Sequence, residues 1–339
     1  MKYFNFRRHL YILIIPVLLI ILILLFKDIN ISKKTLPHST DSFALDTVIS
    51  ITIYDSITDD EASNILSECT KIISEYENLL SRTKEGSDIY RINNSNGNPT
   101  EVSLKTIELL NQSIDFAKMS QGVIDPTIGS LSILWNIGSN KNSGIPSSKD
   151  IINALSTVDY KNILIDGNTV TLKNKDTKID LGFIAKGYIS DKLKEYMISS
   201  GVSSATINLG GNITVIGTKS DNTPFTIGIT DPINKDGPPI EAIKASNTSI
   251  VSSGNYERFF EYEGTKYHHI LSTENGYPVN SGLSQVTIIC DESTTADALS
   301  TLCFILGYDD AITFLSSNYP DIQAIFVDND GKIIDDNGK

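Results

Sequence analysis

The hydrophobic positions of this chain recur with two different periods, and the period predicts which segments are strands and which are helices. In the segment FALDTVISITIY, every second residue from residue 43 to residue 53 falls on one face, which predicts a single strand over 43–54. From Asp59 to Leu80, apolar residues recur at helical spacing behind an acidic first turn, which predicts a helix.

The rest of the chain shows the same mixture of helices and hairpins. Further helices are predicted at 103–119, 149–157, 184–199, 296–307 and 309–317. Hairpins are predicted at 162–174 and 256–272, and single strands at 204–209, 213–218, 225–230, 285–290, 322–327 and 331–335. Because the helices do not alternate one to one with strands, the pattern favours an α+β fold over a doubly wound parallel sheet.

The segment ADALSTLCFILG, residues 296–307, predicts an apolar helix that carries two polar residues on one face. Asp297 and Thr301 lie four residues apart, so they are neighbours on the helix surface. Taken alone, Asp297 suits the helix N-terminus and Thr301 can donate back to the Asp297 carbonyl. The alternative is that both oxygens face a ligand or a cation.

The N-terminus predicts a membrane segment. Lys2, Arg7 and Arg8 precede an apolar run from Leu10 to Phe26. At 1.5 Å per residue this run makes roughly 26 Å of helix, close to the thickness of the hydrocarbon layer. The positive residues before it favour an orientation with the N-terminus inside the cell.

We therefore expect residues 1–26 to form a single-pass signal anchor, residues 27–42 a polar tether, and residues 43–339 one extracytoplasmic catalytic domain at the cell membrane. A cleaved signal peptide is the alternative. It is less favoured because the apolar run is long for one and no small-x-small cleavage site follows.

Composition and charge narrow the class of protein. Hydrophobic residues make up 40% of the chain and charged residues 20%, as in folded globular proteins. A net charge of −13 argues against a nucleic-acid partner, which needs a basic surface. The three cysteines show no CxxC spacing, which predicts buried thiols rather than a disulfide framework or a zinc site.

Polar residues that can carry chemistry gather in five places: residues 122–127, 180–187, 208–212, 253–256 together with His268-His269, and 297–301. Lys186 in a first helical turn opposes the helix dipole unless an anion lies nearby. The diglycine Gly210-Gly211 allows either a close approach to a ligand or a plain turn. The adjacent histidines should face opposite sides of a strand, so one can be catalytic and the other structural.

No P-loop, Rossmann glycine motif, HExxH or GxSxG sequence is present. The remaining candidates are carboxylate and hydroxyl oxygens, which suit a hard cation such as Mg²⁺ bridging phosphates.

Eight segments, in order over residues 43 to about 310, resemble the ApbE family of flavin transferases. They are FALDTVISITIY, SRTKEGSDIYRIN, GVIDPTIGSLSILW, IDLGFIAKGYISDKL, INLGGNI, SGNYERFF, YHHILSTENGYPV and ADALSTLCFILG. The resemblance implies an α+β, tunnelling-fold-like domain that binds FAD. It also implies Mg²⁺-dependent transfer of FMN from FAD to a Thr or Ser hydroxyl of an acceptor protein, with release of AMP.

The resemblance further implies roles for individual residues. Mg²⁺ would be held by Asp297, Thr301 and the backbone carbonyl of Phe183, with Ser300 at the position where some members have a second Asp. His269 would be the general base towards the acceptor hydroxyl, beside Asp297 as the second catalytic residue.

The residues implied to contact FAD are Asp180 and Lys186, with Lys186 near phosphate, and the pocket residues Leu45, Thr83, Val123, Ile124, Asp125 and Leu271. Two segments depart from the family pattern, namely Leu45-Asp46-Thr47 and the Ser272-Thr273 pair after the histidine. Two alternatives to transfer stay open, an FAD pyrophosphatase that gives FMN and AMP, and a non-catalytic flavin-binding surface protein.

Overall fold

An eight-stranded sheet organises the fold, and every neighbouring pair of its strands is antiparallel. The structure is a computed structural model and describes residues 37–138 and 144–334. The strands in chain order are β1 (His38–Ala44), β2 (Thr47–Ile53), β3 (Thr100–Glu101), β4 (Ile163–Asp166), β5 (Thr169–Leu172), β6 (Ala205–Leu209), β7 (Asn212–Ile216), β8 (Phe225–Ile229), β9 (Glu241–Ala245), β10 (Ser249–Gly254), β11 (Phe259–Tyr262), β12 (Thr265–His268), β13 (Leu283–Cys290), β14 (Gln323–Asp328) and β15 (Ile333–Ile334). The central sheet has the order β1-β2-β6-β7-β10-β13-β14-β15.

α-Helices join several of these strands along the chain. They are α1 (Asp59–Leu80), α2 (Asp88–Asn93), α3 (Leu104–Met119), α4 (Gly129–Trp135), α5 (Ser148–Leu155), α6 (Ala185–Ser199), α7 (Ser293–Leu306) and α8 (Tyr308–Asn318). Ile49, Ile51 and Ile53 of β2 are buried in the main core, together with apolar residues of α1, α6 and α7. The period of two in β2 predicts one buried face, and the structure confirms it, since one face of the strand is buried and the other is not.

Two smaller apolar clusters complete the domain. The hairpin β8–β9 packs Phe225 and Ala245 against Val215 and Ile250 of the central sheet. Trp135 of α4 joins Leu271 and the β11–β12 hairpin in a separate cluster, in which its ring lies 5.8 Å from that of Tyr267. These contacts explain why hairpins and helices alternate irregularly along the chain, as the α+β prediction expected.

The predicted single strand over 43–54 is wrong, because the chain reverses inside it. Leu45 and Asp46 form a two-residue turn between β1 and β2 with φ values of 55° and 58°. Neither is the glycine or asparagine that such turns usually contain. The Leu45 N–H donates to Oε1 of Glu77 on α1 at 2.8 Å, a tertiary bond that helps to hold the turn.

The boundary of the predicted tether is also wrong, because β1 begins at His38 rather than after residue 42. The predicted anchor, residues 1–26, lies outside the described residues. Within residues 37–138 and 144–334, no helix has both the length and the apolarity needed to cross a bilayer. The short elements α2, α4, β3, β9 and β10 were not predicted, whereas the three cysteines are free thiols as expected.

Helices α6 and α7 approach each other closely at Gly187. A Cβ atom at this position would lie 2.2 Å from the Ser293 carbonyl oxygen and 2.7 Å from Cβ of Asp297. Asp191, one turn further along α6, accepts hydrogen bonds from the backbone N–H groups of Ser293 and Thr294 at 2.9 and 2.8 Å. This carboxylate caps the first turn of α7, so α6 fixes both the position and the start of the helix.

The packing at Gly187 leads to a prediction about stability. Gly187→Ala should lower the free energy of unfolding by about 1–3 kcal/mol, because the added methyl group overpacks the contact with α7. Urea denaturation followed by circular dichroism measures the change. The exposed Ser199→Ala in the same helix is the control and should stay within about 0.5 kcal/mol of the wild type. A stabilised Gly187→Ala protein would show that helix propensity outweighs the close contact.

Candidate active site

A cleft of about 380 Å³ opens where loops from five parts of the fold meet. This volume lies in the range of small-molecule sites. The segments that line it are the Leu45-Asp46 turn, residues 80–84 at the end of α1, residues 123–128 after α3, residues 180–186 before and within α6, and residues 257–258 and 269–273 on either side of β11–β12. Thr301 and Ile305 of α7 also line it.

At the start of α6, one backbone carbonyl is left open. The Gly187 N–H lies in the first turn of α6, where N–H groups have no partner within the helix, and it donates to Oδ2 of Asp297 at 2.8 Å. No donor among the described residues bonds to the Phe183 carbonyl, so its oxygen is available beside the cleft. Asp297 itself is only 2% exposed, and its Oδ1 lies 3.6 Å from Nζ of Lys186.

Three hydroxyl groups next to Asp297 form a chain with a defined direction. Ser300 Oγ donates to the Asp297 backbone carbonyl at 2.9 Å. Ser253 Oγ lies 2.8 Å from Ser300 Oγ and 3.1 Å from Thr301 Oγ1. A hydroxyl has one proton, so Ser253 donates to Ser300 and Thr301 donates to Ser253. The lone pairs of Thr301 are left free, and Thr301 lines the cleft.

These hydrogen bonds decide the interpretation of two residues. The Thr301 hydroxyl donates to Ser253, and the Asp297 carbonyl accepts instead from Ser300. Ser300 is fully buried, does not line the cleft and already has two hydrogen-bond partners, so the geometry does not support it as a cation ligand.

The open oxygens fit a hard cation. A backbone carbonyl, a carboxylate and a hydroxyl with free lone pairs are the ligand types that Mg²⁺ accepts. In the ranges that the structure describes, no group of three or more His, Cys, Asp or Glu side chains is placed to hold a metal. Of the three proposed ligands, only Asp297 is a carboxylate.

Two predicted ligand-binding carboxylates are occupied by the protein. Asp125 accepts from the N–H and hydroxyl of Thr127 and from the N–H of Tyr160, at 2.5–2.8 Å. Asp180 accepts from the Gly182 N–H at 3.0 Å and pairs with Nε of Arg82 at 2.9 Å. Both residues line the cleft, and these bonds show that their carboxylates also hold its loops in place.

The adjacent histidines lie in different surroundings. His268 is buried, its Nε2 lies 2.8 Å from the Val279 carbonyl, and its ring meets Phe304 edge-on. His269 lies just beyond β12 and lines the cleft. Its Nδ1 lies 3.3 Å from the Arg258 carbonyl, which can only accept, so Nδ1 carries the proton and Nε2 is free to accept one.

Burial, assisted by Arg258, His268 and Lys186, lowers the pKa of His269 to about 3. The imidazole is therefore neutral at physiological pH.

Sequence reasoning missed several charged residues of the cleft. Arg82 and Lys84 flank the predicted Thr83, and Glu257 and Arg258 lie across from them in the segment before β11. Desolvation of its carboxyl group raises the pKa of Glu257, and the positive charge of Lys186 opposes that shift. The SRTK segment offered a signal in its two basic residues, whereas Glu257 and Arg258 had none because charged residues are common at strand ends.

The diglycine Gly210-Gly211 makes the turn between β6 and β7 and does not line the cleft. The interpretation as a plain turn is therefore the correct one. Gly210 is required because a Cβ there would lie 2.2 Å from Oγ1 of Thr47.

The sequence profile of the ApbE family matches residues 45–326. The chain belongs to the ApbE family. It is 30% identical over 312 residues to a Treponema pallidum FAD:protein FMN transferase, covering 87% of this chain and 86% of that protein. A Klebsiella pneumoniae FAD:protein FMN transferase is 34% identical over 278 residues, covering 81% and 85%.

The fold comparison agrees with the family match. The crystal structure of an ApbE protein from Thermotoga maritima superposes with a TM-score of 0.81 at 33% identity. The match covers 88% of this chain and 96% of that one, so the single α+β domain described here is the ApbE fold.

Most of the residues assigned through the ApbE resemblance meet in the one cleft. Those that line it are Leu45, Thr83, Val123, Ile124, Asp125, Asp180, Phe183, Lys186, His269, Leu271 and Thr301. Asp297 lies directly behind Lys186, and Ser300 lies in the core.

The two histidines predict how stability depends on pH. The pKa of each is lowered on folding, so between about pH 6.5 and the folded pKa the unfolded chain binds more protons than the native one. Stability should fall as the pH is lowered from 7 to 5, by at most about 1.4 kcal/mol per pH unit for each histidine. Urea denaturation at several pH values measures this slope.

His269→Gln should flatten the slope by the share of one histidine. An NMR titration in which the His269 ring protonates near pH 6.5 would contradict the assignment.

Proposed function

We propose that this chain is an FAD:protein FMN transferase that needs Mg²⁺. The observation that carries the proposal is that Phe183, Thr301 and Lys186 line one cleft and that the Asp297 carboxylate lies 3.6 Å from Lys186. The two ApbE relatives that carry this name support the assignment.

Phe183, Asp297 and Thr301 would hold the cation, and the Mg²⁺ would supply positive charge that neutralises the FAD diphosphate. Lys186, together with Arg82, Lys84 and Arg258, places basic groups around the same cleft. This concentration of cations suits a diphosphate, although the chain as a whole carries a charge of −13.

Apolar residues of the cleft provide surfaces for the two ring systems of FAD. Leu45, Val123, Ile124 and Leu271 line it, and Thr83 stands near its mouth between Arg82 and Lys84. Asp125 and Asp180 support FAD indirectly, by fixing the loop before α4 and by orienting Arg82.

In the reaction, the acceptor's Thr or Ser oxygen attacks the phosphorus of the FMN half. A new P–O bond forms, the P–O bond to AMP breaks, and AMP leaves. His269 accepts the hydroxyl proton at Nε2. Burial, together with the positive charges of Arg258 and Lys186, keeps its pKa low, and a bound diphosphate would offset those charges and raise its basicity.

The location of the reaction is also a proposal. The basic N-terminus and the apolar run from Leu10 to Phe26 support a single-pass membrane anchor with the catalytic domain outside the cytoplasm. The acceptor would then be an extracytoplasmic protein.

The test is incubation of the purified protein with FAD, Mg²⁺ and an extract of source cells that lack the gene. Transfer gives a protein band with covalent flavin fluorescence and an equal amount of AMP. Free FMN with AMP and no fluorescent band would indicate a pyrophosphatase, since water can take the place of the hydroxyl. Unchanged FAD would indicate a flavin-binding protein and would refute catalysis.

The cation assignment predicts the effect of one substitution. Asp297→Asn removes the only carboxylate among the three proposed ligands and should lower the rate at limiting Mg²⁺ by about 100-fold or more. The rate is measured as AMP release over a range of Mg²⁺ concentrations. The exposed Asp310→Asn on α8 is the matched control and should behave as the wild type. A normal Mg²⁺ dependence in Asp297→Asn would refute the site.

A further inference from the structure

We propose that Ser253 and Ser300 are positioning residues that keep the lone pairs of Thr301 directed at the cation. This inference rests on the proposed function, because it concerns the same cation site. It assigns a role to two side chains that have no place in the proposed ligand set.

The direction of the hydrogen bonds in the hydroxyl chain is set at its first member, which is a carbonyl oxygen and can only accept. The Asp297 backbone carbonyl takes the Ser300 proton at 2.9 Å. Ser300 can then only accept from Ser253 at 2.8 Å, and Ser253 can only accept from Thr301 at 3.1 Å. Each hydroxyl has a single proton, so the first bond determines which oxygen donates and which accepts in the two bonds that follow.

Burial makes this order strict. Ser300 is 0% exposed and Ser253 is 9% exposed, so water has little access to supply an alternative partner. An unpaired hydroxyl in such a place costs free energy, which disfavours every other arrangement of the protons. The Thr301 proton therefore points away from the cleft, and its oxygen presents only lone pairs to it.

The consequence for the site is electrostatic. A hydroxyl whose proton faced the cleft would oppose a cation, whereas one whose lone pairs face it is a ligand. The three neutral hydroxyl groups thus orient the Thr301 oxygen towards the cleft. It also links the end of β10 to α7, so the ligand and its orientation come from two different elements.

The variant Ser300→Ala tests this most sharply, because Ser300 neither lines the cleft nor is a proposed ligand. Without Ser300, Ser253 is free to donate to Thr301, and the Thr301 proton is released towards the cleft. Binding of Mn²⁺, followed by electron paramagnetic resonance on the full chain without FAD, should weaken about tenfold in Ser300→Ala and in Ser253→Ala. Ser253→Thr keeps the hydroxyl and should bind within about twofold of the wild type.

A second buried hydroxyl chain in the same protein provides the matched control. Ser190 on α6 lies 2.8 Å from Oγ1 of Thr214, which lies 3.0 Å from Oγ of Ser249, and none of the three lines the cleft. Ser190→Ala also removes a buried hydroxyl, so it should lower the melting temperature to a similar degree as Ser300→Ala while leaving Mn²⁺ binding unchanged.

The outcomes separate the two proposals. Equal Mn²⁺ affinity in wild type, Ser300→Ala and Ser253→Ala would refute the positioning role while leaving the cation site in place. Equal weakening in Ser300→Ala and Ser190→Ala would also refute it, because loss of stability alone would then explain the effect. A wild-type protein that binds no Mn²⁺ would refute the cation site and this inference together.

Discussion

The candidate site depends on the hydrogen bond from the Gly187 N–H to the Asp297 carboxylate. Only glycine allows α6 and α7 to come close enough for this bond, because a Cβ would collide with the Ser293 carbonyl. The bond gives a partner to an N–H group of the first turn of α6, which has none within the helix. The contact between the two helices therefore holds the Asp297 carboxylate at the start of α6, next to Lys186.

The same two helices explain how a mostly apolar segment can hold polar groups in fixed positions. Ala298, Leu302 and Phe304 of α7 are buried in the main core, which anchors the helix. Asp191 caps its first turn. The hydroxyl chain through Ser253 connects the side of α7 that carries Thr301 to β10. Asp297 and Thr301 are thus held by packing and hydrogen bonds before any ligand arrives, which reduces the ordering cost of binding.

The protein is acidic as a whole, but several basic side chains gather around the cleft. Arg82 and Lys84 each pair with a carboxylate, Asp180 in the segment before α6 and Glu77 of α1 respectively. Glu77 also binds the Leu45 N–H, so one side chain orders both the β1–β2 turn and the loop after α1. Residues that the sequence suggested as ligand contacts are in several cases the supports that position those contacts.

The sequence by itself determined the longer helices, the strands of the second half other than β9 and β10, and the family, because these follow from local periodicity and from residues that stand in order along the chain. It did not determine the turn at Leu45-Asp46, since positive φ values at these residues are offset by a bond to Glu77 that is distant in the chain. It also could not assign Ser300. Only the tertiary structure, which brings β10 beside α7, decided that Ser300 turns inward and that Thr301 faces the cleft.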